Sequence, residues 1–205
     1  MRRYLLGFLL CLGLGTYCKA EVLASTFGPG YEVGTSAWVI TAAGSHPEAM
    51  GVPFTPSHSS ILNQIDLGFY SYAPVNNLQI DLTTNNWGAP GTVLESWRLT
   101  LNGAYTGPYV KTLFSVFDGP VFQGGTQYWI FVSGASTYAG WFSNPMGYQD
   151  TVAFNMGSGW FTSTLDVPVF DVIGSSSPIP EPNGILMLAT GLAGSFATGF
   201  KKFFR

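Results

Sequence analysis

Positive charge is scarce in the body of this chain. Residues 21–178 carry ten carboxylates against two cations, Arg98 and Lys111, for a net charge of −8. Such a surface repels phosphate backbones, which excludes nucleic acid as a partner. Cysteine is absent from the same stretch, because Cys11 and Cys18 both fall within the first 20 residues. A domain that begins after them has no disulfide, no thiolate nucleophile and no thiolate metal site. Its stability must come from burial and hydrogen bonding, and roughly 150 residues suffice for that. Histidine is nearly missing too. His46 and His58 lie in a Pro/Ser-rich stretch without the helical His/Glu spacing of a metalloprotease, and they read as exposed loop residues. No lysine follows a glycine-rich run as a phosphate loop requires. Gly157-Ser158-Gly159 is a tight turn without the flanking spacing of a nucleophile elbow. A Ser-His-Asp triad drawn from distant residues stays open. So does glycan hydrolysis by two carboxylates, for which Asp66, Asp81, Glu95 and Asp118 are available.

Long helical periodicity, heptads and internal repeats are also lacking, so bundles, propellers and solenoids drop out. The chain does hold 26 glycines, 13 prolines and 16% aromatic residues with only 9% charge, a composition of short strands joined by turns. Candidate strands are Ala37–Ala42, Ile61–Tyr70, Leu78–Thr83, Thr92–Leu101, Tyr109–Phe117, Gln127–Val132, Thr151–Phe154, Trp160–Thr164 and Val167–Ile173. Leu78, Ile80 and Leu82 should face one side and Gln79, Asp81 and Thr83 the other; Tyr128, Ile130 and Val132 should oppose Trp129 and Phe131. Gly107-Pro108, Pro90-Gly91 and Gly124-Gly125 read as turn punctuation. The spacing predicts an all-β domain, a sandwich or jelly roll.

The two ends differ from the middle. Met1-Arg2-Arg3 precedes an uncharged run to Gly15, and Cys18-Lys19-Ala20 follows. The apolar core is too short for a membrane span and suits a signal peptide cleaved after Ala20. An uncleaved anchor is the alternative. Lipid attachment fails, because Leu10 precedes Cys11 and Tyr17 precedes Cys18. At the other end, Gly174-Ser175-Ser176-Ser177 reads as a linker into Pro178-Ile179-Pro180-Glu181-Pro182, where the prolines hold the backbone extended. Residues Gly184 to Phe200 are uncharged, and Lys201-Lys202-Phe203-Phe204-Arg205 closes the chain. As a helix that span reaches about 25 Å, short for a bilayer but tolerable with its flanking residues. Its terminal cations favour the cytoplasmic side. Gly191, Ser195 and Gly199 fall at four-residue spacing, which reads as ordinary sorting-span composition in preference to a dimer face. The expected organisation is a signal peptide (1–20), an exported β-sandwich domain (21–173), a linker with the proline motif (174–183), a transmembrane helix (184–200) and a basic tail (201–205).

Pro180-Glu181-Pro182, the Gly/Ala/Leu-rich span and the basic end together resemble the PEP-CTERM sorting signal of Gram-negative bacteria. Phe203-Phe204 departs from that family by interrupting its arginine-rich cluster. The resemblance implies recognition of Pro180, Glu181 and Pro182 by the membrane protease exosortase, with Lys201, Lys202 and Arg205 holding orientation. It implies export across the inner membrane as an anchored precursor, a final place at the cell surface or outside, and association with exopolysaccharide or biofilm material. A second stretch, Ile80 to Ser96 with its Gly88-Ala89-Pro90-Gly91 turn and Val93-Leu94-Glu95-Ser96, together with Gly124-Gly125-Thr126-Gln127-Tyr128-Trp129, is similar to the choice-of-anchor type domains of exported bacterial proteins. That likeness covers roughly residues 50–135 and implies a β-sandwich without a settled activity. The expected function is therefore a non-enzymatic binding or structural role, with a carbohydrate-binding module or carbohydrate-active enzyme as the alternative. Of the six tryptophans, Trp38, Trp97, Trp129, Trp141 and Trp160 read as core. Trp87, placed in the expected loop, is the candidate ligand contact. No cofactor is required; calcium stays open through the oxygen-rich run Asp81–Asn86, although the spaced acids of an EF-hand are missing.

Overall fold

Leu78, Ile80 and Leu82 are buried together, as their alternation requires. The computed structural model in which they are seen describes residues 20–41, 48–116, 119–136 and 138–176. Every regular element among these residues is a strand: β1 Ala20–Ser25, β2 Ala37–Thr41, β3 Ala49–Phe54, β4 Ser60–Ser71, β5 Val75–Asn86, β6 Ala89–Asn102 and β7 Thr106–Phe114. There follow β8 Val121–Phe122, β9 Tyr128–Ser136, β10 Tyr138–Phe142, β11 Gln149–Asn155, β12 Trp160–Asp166 and β13 Phe170–Ser176. Residues 1–19 of the expected signal peptide (1–20), the expected span 184–200, the motif Pro180-Glu181-Pro182 and the tail residues Lys201, Lys202 and Arg205 lie outside the described residues, whereas Ala20 opens β1. Among the described residues no helix is long and apolar enough to cross a membrane.

The strands make two antiparallel sheets. In the first, the order β1-β13-β4-β10-β2 is joined by β7 and β8. Here β4 is the spine: β13 and then β10 pair along one of its sides, β8 and then β7 along the other. The second sheet runs β12-β11-β3-β9-β5-β6. Side chains from both fill one apolar layer, with Ile65, Leu67, Phe69 and Trp141 from the first meeting Met50, Val52, Ile80 and Ile130 from the second. The domain is thus an all-β, two-sheet structure. Tyr128, Ile130 and Val132 join the layer and Trp129 does not, as alternation along β9 predicts.

All nine expected strands are present, mostly with wider bounds, and four others were not visible in the pattern. In β3 every residue is buried, so no alternation marks it, and it contains Gly51 and Pro53. Proline is tolerated there because β11 pairs only with Ala49–Gly51, leaving Pro53 with a neighbour on one side. In β10, Gly140 breaks a five-residue run; β8 has two residues; β1 begins at Ala20, the last residue of the expected signal peptide.

Three expectations need correction. Gly107-Pro108 and Pro90-Gly91 are not turns but parts of β7 and β6. The β13 strand begins at Phe170 and not Val167, because Pro168 instead bridges to Ser143. Gly174, Ser175 and Ser176 are not a linker: they finish β13, with Gly174 paired to Glu21 and Leu62. The lack of a side chain at Gly174 serves packing, since a Cβ there would meet Leu23 Cδ1 at 2.6 Å. The domain therefore extends to Ser176.

Trp141 provides a direct test of the core. Its fully buried indole donates from Nε1 to the Val169 carbonyl at 2.8 Å, and its ring lies 6.1 Å from that of Phe69. Trp141→Ala should cost about 3–5 kcal/mol, by lost transfer energy and the cavity left behind. In urea unfolding the midpoint should fall with little change in slope. A loss under about 1 kcal/mol would show that the layer does not depend on it.

Candidate functional site

The β5–β6 hairpin holds the predicted contact residue. Its connection is not a long loop but the two residues Trp87 and Gly88, both with positive φ (55° and 84°), the geometry that matches the strand twist in a tight hairpin. Register shifts at Leu82/Thr83 and Thr83/Asn85 mark bulges, which bend a strand pair. The far end of the hairpin accordingly lies back over the outer face of its own sheet. There Pro90 and Trp129 both stand within 3.5 Å of where a Cβ on Gly51 would be. Asn85 Oδ1 pins the arrangement, accepting from Gly88 N at 2.9 Å and Trp129 Nε1 at 3.0 Å. Trp129 and Thr83 are consequently buried on what would otherwise be an open face. Trp87 itself is 99% exposed. A bulky aromatic side chain is thus held in solvent, on a backbone conformation that Asn or Gly would adopt with less strain.

The other tryptophans behave as structural residues. Trp38 Nε1 donates to the Asp166 carbonyl and Trp97 Nε1 to that of Phe114, both at 2.9 Å. Trp160 packs edge-on against Phe131 at 5.6 Å.

The run Asp81–Asn86 is strand and not an oxygen-rich loop, so alternate side chains point to opposite faces and cannot converge on one ion. Asp81 accepts from Gln79 Nε2 at 2.8 Å and from Ser96 Oγ. Among the described residues no three His, Cys, Asp or Glu side chains gather as a metal site. His58 ion-pairs with Glu21 and bonds Ser57 Oγ at 2.9 Å on the surface; His46 lies outside the described residues. Of the four carboxylates weighed for glycan hydrolysis, Asp66 is 2% exposed and sealed from substrate. Asp81 is nearly as deep, Glu95 accepts from Ser115 Oγ at 2.6 Å, and Asp118 is not described.

Two acids that lie far apart along the chain meet in the first sheet. Asp66 and Asp171 are directly opposed on β4 and β13, which places their Cβ atoms about 5 Å apart. Both are buried, at 2% and 7% exposure, and each keeps Oδ1 without a partner. Tyr31 OH (3.2 Å) and Gln64 Nε2 (3.1 Å) donate to Asp66 Oδ2. Burial pushes the Asp171 carboxyl above its ordinary 3.8, the Ser25 hydroxyl pulls it down, and the Asp66 charge adds to the rise. Burial, then Asp66, raises the Tyr31 phenol.

Two recesses open on the domain. A cavity of about 370 Å³ has Ser25, Thr55, Gln127 and Asp150 among its polar lining and Phe54 and Phe170 among its apolar lining. Tyr148 OH points to Asp150 Oδ2 at 3.4 Å beside it. A groove of about 510 Å³ is lined mainly by Trp38, Phe154, Met156, Phe161 and Leu165. No family model matches the chain, and no curated protein is significantly similar to it.

Two outcomes follow from this geometry. Trp87→Asn, which supplies the residue a positive-φ hairpin turn favours, should stabilise the domain by about 1 kcal/mol in thermal unfolding; destabilisation would mean that the exposed ring is packed. Asp171 binds its proton more tightly folded than unfolded. Its contribution is therefore complete below about pH 3.8 and is lost as the pH rises through the elevated folded-state value. The melting temperature of wild type should accordingly fall relative to Asp171→Asn between pH 4 and pH 7; parallel curves would contradict this.

Proposed function

We propose that this chain is an exported, exosortase-sorted protein of the cell surface or extracellular matrix, with a binding or structural role and no catalysis. The observation that carries the reading is the adjacency of the domain's two ends. Ala20 pairs with Ser175, at the first residue of β1 and near the last of β13. Cleavage after Ala20 leaves Glu21–Ser25 paired in the sheet. Cleavage near Pro180-Glu181-Pro182 falls beyond Ser176 and spares every described strand. Both segments that read as addresses can thus be removed with every described strand kept, β1 shortened only by Ala20. A domain free of thiols is also indifferent to the redox state outside the cytoplasm.

The second reading, a carbohydrate-binding module, is favoured by Trp87, whose ring is free to stack. A glycosidase is disfavoured by the burial of the closely opposed carboxylates Asp66 and Asp171.

Mass spectrometry of the protein from its native host tests the reading. The expected species has lost residues 1–20 and everything beyond the Pro-Glu-Pro region. Glu181→Ala should accumulate with its C-terminus intact in the inner membrane. Wild-type protein that keeps its C-terminus there would make it an ordinary tail-anchored protein.

A further inference from the structure

A tyrosine cluster on the outer face of the first sheet has no part in the sorting account. Alternation turns Phe69 and Trp141 inward and Tyr70, Tyr138 and Phe142 outward along β4 and β10. Tyr72 N donates to the Tyr138 carbonyl at 3.0 Å just past β4, which carries the pairing one step further and brings its side chain to the same face. The ring centroids of Tyr138 and Tyr72 lie 4.9 Å apart with planes 35° from parallel. Tyr72 and Tyr70 follow at 4.7 Å and 59°, and Phe142 stands edge-on to Tyr70 at 6.1 Å. Two glycines let the rings lie down against the backbone. A Cβ on Gly140 would meet Tyr72 Cε2 at 3.2 Å, and one on Gly107 would meet Tyr70 Cδ2 at 2.9 Å.

We propose that Tyr70, Tyr72 and Tyr138 form a binding platform for a neutral polysaccharide. This deepens the surface role proposed above by naming the ligand class, and rests on it only for where the polymer is met. Three features select that class. The strip offers aromatic faces, with Tyr138 43% exposed and Tyr70 and Tyr72 half-buried, against which the apolar C–H face of a pyranose can pack. The phenols of Tyr31, Tyr109, Tyr128 and Tyr148 bond within the domain, whereas among the described residues none of these three has a partner. They are donors and acceptors for sugar hydroxyls, and an apolar protein surface laid over them would strand them at a cost. Finally, the cluster contains no charged side chain, and the −8 charge of residues 21–178 repels an anionic polymer. Burial, then Tyr138 and Tyr70, raises the Tyr72 phenol, so it stays a neutral donor in ordinary media.

The test is calorimetric titration of the full chain in detergent with cellohexaose, mannohexaose and chitohexaose, and with hexagalacturonate as the anionic comparison. At least one neutral hexamer should bind saturably and hexagalacturonate should not. Tyr72→Ala and Tyr138→Ala should each weaken binding about tenfold while leaving the melting temperature within a few degrees. Tyr72→Phe, which keeps the ring, should lose less, and Trp87→Ala should leave affinity unchanged. Failure of folded wild-type protein to bind any neutral hexamer overturns the proposal. So does loss of binding with Trp87→Ala but not with Tyr72→Ala, preference for the anionic hexamer, or a dimer in light scattering that Tyr72→Ala dissolves. Processing in the host is read separately. A correctly trimmed protein that binds nothing refutes the platform alone, and a binding protein that is never trimmed refutes the sorting reading alone.

Discussion

The apolar layer between the two sheets supports everything else in this domain. With no disulfide, and with the His58–Glu21 contact a partly exposed surface ion pair, covalent staples and charge pairing contribute little. The layer is built from fully buried side chains of both sheets, including Ile65, Phe69, Ile80 and Ile130. Close approach is secured where Gly174 meets Leu23. The long strand β4 ties the parts of the first sheet together, so that surface features on β10 and β7 are fixed relative to one another.

The outer faces show a division between covered and open regions. Over the second sheet, the bent β5–β6 hairpin buries Trp129 and spends Asn85 on two donors, which leaves Trp87 free at the tip. Over the first, the segment after β1 lays Phe27 and Val33 beside Gly68 and brings Tyr31 onto Asp66. That cover seals two opposed carboxyls, a cost the fold accepts near neutral pH. Beyond it, the tyrosine strip on β4 and β10 stays uncovered.

Much of this was legible in the chain. Alternation placed the inward residues of β5 and β9, and punctuation at Gly124-Gly125 marked the start of β9. The turn at Trp87 put the right side chain in solvent, although its two-residue form depends on bulges that no local pattern announces. Strand β3 was hidden because both its faces are buried and because Pro53 is permitted only by the short reach of β11. Ser175 and Ser176 look like linker and are strand, since pairing with β1 and β4 overrides composition. Neither the Asp66–Asp171 pair nor the tyrosine strip could be read at all. Each joins residues far apart in sequence through strand pairing, and local periodicity carries no information about which strands meet.

An acidic, thiol-free sandwich delivered outside the inner membrane is the centre of the account, and topology labelling measures it directly. With Cys11 and Cys18 changed to alanine, Thr162→Cys on the exposed strand β12 becomes the only thiol in the chain. A membrane-impermeant maleimide added to intact spheroplasts of the native host should label that cysteine as fully as it does after lysis. Labelling that appears only after lysis would place the domain in the cytoplasm and contradict the account.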